Sequence, residues 1–362
     1  MSGEIKSGEI KNIMDENDPA AWIRGGLNAE EAGRNDDALE AYARRGALLL
    51  RLKDFKSAIA DFDGFFEAGG DFPVKTFVAE VYNYRGFAHS SAGEMADAVN
   101  DFNMAVEIHP GYAEAYFNRG VLRGSLGGLE EAIEDYTRAI ELSPGYGRAY
   151  TNRGLTRLDM RDYRSAIQDL NKAIEINPGD AVAYLHRALS YSGLGAAETA
   201  LKDFDKAVEL NPEYAHAYLF RGNFYADRKE FENALRDYTR AIELKPGMPI
   251  AYNYRGIAYL SSGDSDKALI DFERSLELNP MDAKVLGLRG TSYLKLGDSI
   301  KAKKDYDRAL EIYPGDAETL YNRGVANLNL NNELMCFTDM KKAARLGLMA
   351  AQEFLKSKGV EW

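Results

Sequence analysis

Two short patterns of small and large residues alternate along most of the chain. In one, a tyrosine is followed by a glycine four residues later, as in Tyr116 and Gly120. In the other, two alanines flank a bulky residue, as in Ala132, Tyr136 and Ala139. Both spacings bring the residues to one face of an α-helix. The alternation predicts pairs of helices in which small residues of one face large residues of the other, so that the two pack closely.

Prolines fix the length of this pattern. Seven of the ten prolines follow one another at intervals of 34 residues, at positions 110, 144, 178, 212, 246, 280 and 314. Several are followed by glycine, as in Pro110-Gly111 and Pro314-Gly315. Proline cannot continue a helix and glycine permits a sharp turn, so these residues end the second helix and lead into the next pair. We predict a chain built from 34-residue repeats.

This spacing and residue set resemble the tetratricopeptide repeat family. Repeats in phase begin at residues 79, 113, 147, 181, 215, 249, 283 and 317, and a more divergent repeat begins at 39. Below, these are repeats 1 to 9 in chain order, each with positions 1 to 34. The resemblance implies an all-α fold, a right-handed superhelical solenoid of stacked antiparallel helix pairs. In the family, the first helices line the concave side of the superhelix.

The N-terminal segment lies outside this pattern. Residues 1–18 contain the sequence SGEIK twice and no packing pattern, so we predict a mobile tail. Residues 19–38 are predicted to form an N-terminal helix, in which Trp22 and Gly26 mimic the first half of a repeat. The array of nine repeats is predicted to occupy residues 39–346.

The C-terminal segment also departs from the repeat pattern. In repeat 9, Cys336 replaces the first alanine of the second helix and Met340 replaces the aromatic residue, and no proline follows. A stacked array ends on a face that would otherwise meet the next repeat. Residues 347–362 are therefore predicted to form a capping helix, with Phe354 and Leu355 on its apolar side.

Two charged positions are constant in all nine repeats. Position 7 is Arg and position 23 is Asp, whereas position 2 varies widely. Both positions flank the buried stripe of their helix, and a half-buried guanidinium pairs well with a carboxylate. We predict ion pairs, within a repeat or between adjacent repeats, formed by Arg119, Asp135, Arg153, Asp169, Arg187, Asp203, Arg221, Asp237, Arg255 and Asp271. Two alternatives are independently solvated aspartates and a row of arginines that binds anions.

Positions 5 and 6 of the first helix are the candidate ligand contacts. They lie opposite the buried stripe and mix Phe, Leu and Tyr with Asn. An extended peptide needs apolar pockets for its side chains and amide partners for its backbone. Position 9 has a similar mixture, which packing between neighbouring first helices explains equally well. The predicted peptide contacts are Phe117, Asn118, Thr151, Asn152, Leu185, His186, Leu219, Phe220, Asn253 and Tyr254.

Composition narrows the function classes. The 362 residues include one Cys and four His, which are widely separated, so we predict no metal centre. A net charge of -12 opposes binding to nucleic acid and direct contact with an acidic membrane. No run of about 18 apolar residues and no secretory signal is present, which favours a soluble, cytoplasmic protein. We find no catalytic constellation and no phosphate-binding loop, so we predict no enzymatic activity and no cofactor.

The predicted function is that of a scaffold for protein–protein interaction, which holds a peptide or a partner helix in the concave groove. One alternative is a scaffold that assembles with copies of itself into a homo-oligomer. The other is a regulatory subunit of an enzyme complex, in which the partner supplies the active site.

Overall fold

The computed structural model describes residues 35–68 and 75–362. Within these ranges the chain is α-helical and contains no β-strand. The helices are α1 (Asn35–Arg51), α2 (Phe55–Glu67), α3 (Lys75–Ala92), α4 (Met95–Ile108), α5 (Ala113–Ser125), α6 (Leu129–Leu142), α7 (Gly147–Asp159), α8 (Tyr163–Ile176), α9 (Ala181–Gly193), α10 (Ala197–Leu210), α11 (Ala215–Asp227), α12 (Phe231–Leu244), α13 (Pro249–Ser261), α14 (Ser265–Leu278), α15 (Ala283–Lys295), α16 (Ser299–Ile312), α17 (Ala317–Asn329), α18 (Glu333–Arg345) and α19 (Met349–Ser357).

The chain divides into two compact units, residues 1–200 and 201–362. In the N-terminal unit the two helices of a repeat pack against each other, and the second helix also packs against the first helix of the following repeat. The C-terminal unit repeats this arrangement from α11 to α18. The predicted all-α fold of stacked helix pairs is confirmed. None of the described helices combines the length and the apolar character needed to cross a membrane.

The close approach of the two helices depends on the glycine at position 8. In the C-terminal unit, a Cβ atom on Gly222 would lie 2.6 Å from Cε1 of Tyr238, and one on Gly256 would lie 2.7 Å from Cε1 of Phe272. Real Cβ atoms do not come this close to another carbon, because interiors are packed at van der Waals contact. The pairing of a small residue with a large one is therefore the feature that sets the helix spacing.

The turn between the two helices of a repeat has a common backbone shape. Position 15 has a positive φ in all nine repeats, a conformation that glycine adopts without steric cost. The residues at this position are Lys53, Gly93, Gly127, Arg161, Gly195, Lys229, Gly263, Gly297 and Asn331. The chain thus reverses direction at the same point of each repeat, even where the sequence does not supply glycine.

The structure describes the predicted C-terminal end of the array but only part of its N-terminal end. Residues 1–34, which include the predicted tail and most of the predicted N-terminal helix, lie outside the described residues. Helix α1 begins at Asn35 and continues into repeat 1, so the predicted boundary between residues 38 and 39 falls inside a helix. At the other end, α19 packs on repeat 9 and buries Ala351 and Leu355.

Candidate functional site

The position-7 arginines make bidentate contacts with the position-23 aspartates of the same repeat. In repeat 4, Nε of Arg153 donates to Oδ2 of Asp169 at 2.9 Å and Nη2 donates to Oδ1 at 2.7 Å. The described pairs are Arg45–Asp61, Arg85–Asp101, Arg119–Asp135, Arg153–Asp169, Arg221–Asp237, Arg255–Asp271, Arg289–Asp305 and Arg323–Asp339. Arg187 and Asp203 lie on opposite sides of the unit boundary, and their pairing stays a prediction.

Each pair is held in a partly dehydrated environment. The aspartates are buried, whereas the arginines are half-buried. In repeat 7, the hydrogen bonds from Arg255 to Asp271 raise the pKa of the guanidinium above its usual value, although burial by itself lowers it. The Arg255 guanidinium also lies over the ring of Tyr252, the position-4 tyrosine, at 5.9 Å from the ring centroid. The positive charge of the Arg255 guanidinium is therefore balanced by the Asp271 carboxylate and by the face of the Tyr252 ring.

The same arginines also reach the preceding repeat. Nη1 of Arg255 donates to Oγ1 of Thr239 at 3.0 Å, and Nη1 of Arg323 donates to Oδ1 of Asp307 at 2.8 Å. Both acceptors occupy position 25 of the preceding repeat. An oxygen acceptor stands at this position in repeats 1 to 8, namely Asp63, Asn103, Thr137, Asn171, Asp205, Thr239, Glu273 and Asp307. This position was missed in the sequence analysis, although its recurring oxygen was a signal that could have identified it.

The position-5 residues predicted to contact a ligand are buried instead. Phe117, Thr151, Leu185, Leu219 and Asn253 are each less than a tenth exposed. Phe117 and Thr151 contact the residue at position 34, which precedes the first helix of the following repeat. The ring of Phe117 lies 5.0 Å from that of Tyr146, and Oγ1 of Thr151 donates to Oδ2 of Asp180 at 3.0 Å. Position 5 thus joins neighbouring repeats and presents little surface to a ligand.

Two asparagines at this buried position differ in their hydrogen bonds. In repeat 2, Nδ2 of Asn83 donates to the hydroxyl of Tyr112 at 3.3 Å, and its Oδ1 accepts from Nδ2 of Asn118 at 2.9 Å. In repeat 7, Oδ1 of Asn253 is buried and has no hydrogen-bond partner among the described residues. The residue that corresponds to Asn118 is here Leu288, which has no side-chain donor. Asn253 therefore carries the cost of an unsatisfied buried carbonyl.

Replacing Asn253 with leucine is expected to stabilise repeat 7 by about 1 to 2 kcal/mol, because the substitution removes this unsatisfied group. Leucine already occupies the same position in Leu219 of the preceding repeat. The matched control is Asn83→Leu, which removes two hydrogen bonds and is expected to destabilise repeat 2. Amide hydrogen exchange of α13 and α3 measures both effects. If both substitutions changed the local stability in the same direction, the conclusion that Asn253 has an unsatisfied buried carbonyl would be contradicted.

The position-6 residues are half-buried and reach solvent. In the N-terminal unit they include Asn118, Asn152 and His186. Next to them, at position 2, lie Glu80 and Glu114, and partial burial raises the pKa of both carboxyls, that of Glu114 also because of the charge on Glu80. Arg148 and His109 act in the opposite direction, on Glu114 and Glu80 respectively. This part of the first-helix surface is polar and negatively charged.

The equivalent surface of the C-terminal unit is apolar. Phe220, Tyr254 and Leu288 occupy position 6 on α11, α13 and α15, and all three are half-buried. The ring of Tyr254 stacks on that of Tyr238 at a centroid distance of 6.1 Å. The hydroxyl of Tyr238 in turn donates to Oδ1 of Asn223 at 2.8 Å. Packing therefore holds the inner edges of the side chains in this row, and their outer edges remain accessible to solvent.

Comparison with known proteins identifies the repeats. Tetratricopeptide repeats match residues 113–146, 147–180, 249–282 and 283–316, residues 181–214 and residues 222–263. Together these matches span more than half of the chain, and most of them begin at a predicted repeat start. No curated protein sequence matches the chain significantly.

Solved structures show the same fold. PilF of Pseudomonas aeruginosa is 23% identical, with a TM-score of 0.53, over 58% of this chain and 97% of its own. A tetratricopeptide repeat protein of Parabacteroides merdae is 23% identical, with a TM-score of 0.52, over 71% of this chain and 99% of its own. The chain belongs to the tetratricopeptide repeat family, whose fold generally serves as a non-catalytic scaffold for binding proteins and peptides.

Proposed function

We propose that the chain binds an extended peptide segment of a partner protein and performs no chemistry on it. The binding surface is the one that the position-6 residues of the first helices form, called the first-helix surface here. The observation that carries this proposal is the row of Phe220, Tyr254 and Leu288, which is half-buried and apolar in an otherwise acidic protein. Aromatic side chains that are held in place but remain accessible give large contact areas at a low entropic cost. The row is suited to apolar side chains of the peptide.

Neighbouring residues widen this surface. Ile250, at position 2 of α13, is 42% exposed, and Asn223 lies at position 9 of α11. Apolar and amide groups thus occur side by side, as an extended peptide requires. The proposed contacts at position 6 are Asn118, Asn152 and His186 in the N-terminal unit and Phe220 and Tyr254 in the C-terminal unit, and the position-5 residues of each unit support them from below.

Acidic residues in the N-terminal unit indicate which peptide side chains this unit would bind. Glu80 and Glu114 lie beside Tyr84, a position-6 residue, and burial, together with the charges of Glu114 and Glu80, raises the pKa of its hydroxyl. A partly desolvated acidic surface with aromatic neighbours favours lysine or arginine side chains. We propose that a ligand on this unit carries basic residues, whereas a ligand on the C-terminal unit carries apolar ones.

The test uses a displayed library of random dodecapeptides selected against the full chain. Peptides selected on the C-terminal unit are expected to lose at least about 30-fold in affinity when Phe220 and Tyr254 are both replaced by alanine, because each truncation of an anchor costs 1 kcal/mol or more. Affinity is measured by fluorescence anisotropy of a labelled peptide, and circular dichroism verifies that the variant is folded.

A matched control replaces two exposed apolar residues of second helices in the same unit. Ile270 and Ile300 are 65% and 72% exposed, and neither lies on a first helix. The double variant Ile270→Ala, Ile300→Ala is expected to bind the selected peptides as the unaltered chain does. Equal losses in both double variants, or unchanged affinity after the loss of Phe220 and Tyr254, would refute the proposed surface.

A further inference from the structure

Three potential metal ligands meet at the turn between α3 and α4 in repeat 2. They are His89 near the end of α3, Glu94 immediately before α4 and Asp97 in its first turn. One ligand atom from each of the three lies within 4.8 Å of the others. Nδ1 of His89 lies 2.6 Å from Oε2 of Glu94. In the described part of the chain, this is the one group of three such side chains that is close enough to share an ion.

The second ring nitrogen of His89 also faces a carboxylate. Nε2 lies 3.8 Å from Oδ2 of Asp101, beyond hydrogen-bond distance, whereas Nδ1 is within hydrogen-bond distance of Glu94. Asp101 is itself fixed by two hydrogen bonds from Arg85, at 2.7 and 2.8 Å. Metal-binding histidines commonly have a carboxylate behind the ring, and an ion bound at Nδ1 would replace the proton shared with Glu94 and leave a proton on Nε2, the nitrogen that faces Asp101. The imidazole is also only 12% exposed, so its position is restricted.

Other repeats place a cation of their own at this turn. In repeat 7, Nζ of Lys267 lies 2.7 Å from Oδ2 of Asp264 and 5.3 Å from the ring centroid of Tyr259. Repeat 8 has the same arrangement, with Lys301 at 3.0 Å from Asp298 and over the ring of Tyr293. Lysine thus neutralises the carboxylate that precedes the second helix.

Repeat 2 differs from repeats 7 and 8 at all three of these positions, although Glu94 keeps a carboxylate where Asp264 and Asp298 stand. Asp97 stands where Lys267 and Lys301 stand, and His89 stands where Tyr259 and Tyr293 stand. Compared with repeats 7 and 8, this turn has no lysine and carries a second carboxylate and an imidazole. Two carboxylates with one imidazole provide the nitrogen and oxygen ligands that a divalent transition metal ion accepts.

We propose that His89, Glu94 and Asp97 bind a Zn²⁺-class divalent transition metal ion, with water completing the coordination shell. Glu94 and Asp97 are exposed, so their carboxylates can turn toward the ion and solvent can reach it. The ion replaces the lysine charge of repeats 7 and 8 and links the two helices of repeat 2. None of the three residues belongs to the proposed peptide contacts. The positions of the histidines and the cysteine alone do not indicate this group, because two of its three potential ligands are carboxylates.

The experiment is a titration of the full, metal-free chain with Zn²⁺ by isothermal calorimetry, in excess Mg²⁺ to suppress weak binding to surface carboxylates. One Zn²⁺ per chain is expected. His89→Gln and Asp97→Lys are each expected to weaken Zn²⁺ binding at least about tenfold. Loss of a residue that only supports a metal ligand already costs about tenfold or more in metal affinity, and loss of a ligand itself should cost at least as much. Asp97→Lys copies the residue of repeats 7 and 8 and is expected to fold; His89→Tyr does the same at position 11, and it serves as a second His89 variant with the same expected loss of binding.

The control is His216→Gln, which removes a histidine outside this group and is expected to leave Zn²⁺ binding unchanged. Titration with Co²⁺ gives a second readout, because its visible absorption changes when protein ligands replace water. Absence of a saturable site in the unaltered chain, or unchanged affinity in both His89→Gln and Asp97→Lys, would overturn the proposal. In that case the contact between His89 and Glu94 is a hydrogen bond only.

Discussion

Replacing Arg255 with alanine is expected to destabilise repeat 7 by about 3 kcal/mol, because the substitution leaves a buried carboxylate without its ion pair. Asp271 is only 2% exposed and accepts two hydrogen bonds from Arg255, at 2.8 and 2.7 Å. Among the described residues, no second guanidinium contacts this carboxylate. The same substitution also removes the hydrogen bond to Thr239 in the preceding repeat. The effect should therefore reach both the helix pair and its contact with repeat 6.

Arg153 in repeat 4 provides a matched control. It makes the same contacts as Arg255, with Asp169 and with the position-25 residue Thr137. The difference lies at position 11, where Arg157 donates a further hydrogen bond to Asp169 at 2.7 Å. After Arg153→Ala this second guanidinium still compensates the carboxylate. We expect a loss of only about 1 kcal/mol, that of ordinary hydrogen bonds.

Local measurements are required for this comparison, because an array of repeats need not unfold in one step. Amide hydrogen exchange of α13 and α14 reports on Arg255→Ala, and exchange of α7 and α8 reports on Arg153→Ala. Protection should fall clearly more in the first case than in the second. Equal losses would mean that the carboxylate is stabilised by solvent or by its helix and not by the ion pair.

Removing the residues that follow Gly347 is expected to unfold repeat 9 locally while the distant repeats stay folded. Helix α19 buries Leu355 and Ala351 against Met340 and Leu320, and Phe354 packs on Phe337 at a centroid distance of 6.2 Å. Each fully buried large side chain contributes about 1.5 to 3 kcal/mol. In a stacked array, stability is close to a sum of repeat and interface contributions, so loss of the terminal interface acts first on its neighbour.

Hydrogen exchange on the truncated chain tests this expectation, with faster exchange confined to about residues 317–346 as the expected result. Two point substitutions separate packing from chain length. Leu355→Ala removes a fully buried side chain and should reproduce part of the effect, whereas Met349→Ala alters a residue that is 69% exposed and should not. Uniform loss of protection along the chain, or no change in repeat 9, would show that α19 is not a cap.

Most of the fold was predictable because its determinants are local in the sequence. The 34-residue spacing of proline, the glycine at position 8 and the bulky residue at position 24 specify a helix pair and its spacing within one repeat. The comparisons confirm the family. The N-terminal boundary was less predictable, since Asn35–Arg51 forms one helix across the limit drawn at residue 38. Helix propensity continues across such limits when no proline or glycine interrupts it.

The candidate site was only partly predictable, because solvent exposure depends on what covers a residue. Helical periodicity places positions 5 and 6 on the same side of the first helix. The structure separates them. Leu185 and Leu219 at position 5 are buried, whereas His186 and Phe220 at position 6 are half-buried and reach solvent.

Residue spacing along one or two helices was enough to predict the repeat length, the helix pairs and the pairing of Arg with Asp within a repeat. The packing of neighbouring repeats determines which outward positions are accessible and which oxygen of the preceding repeat an arginine such as Arg255 contacts. Thr151 is covered by Asp180 at the start of the next repeat, and Arg255 reaches Thr239 in the previous one. These contacts join residues of different helices, so their presence depends on how neighbouring helices are placed and not on periodicity.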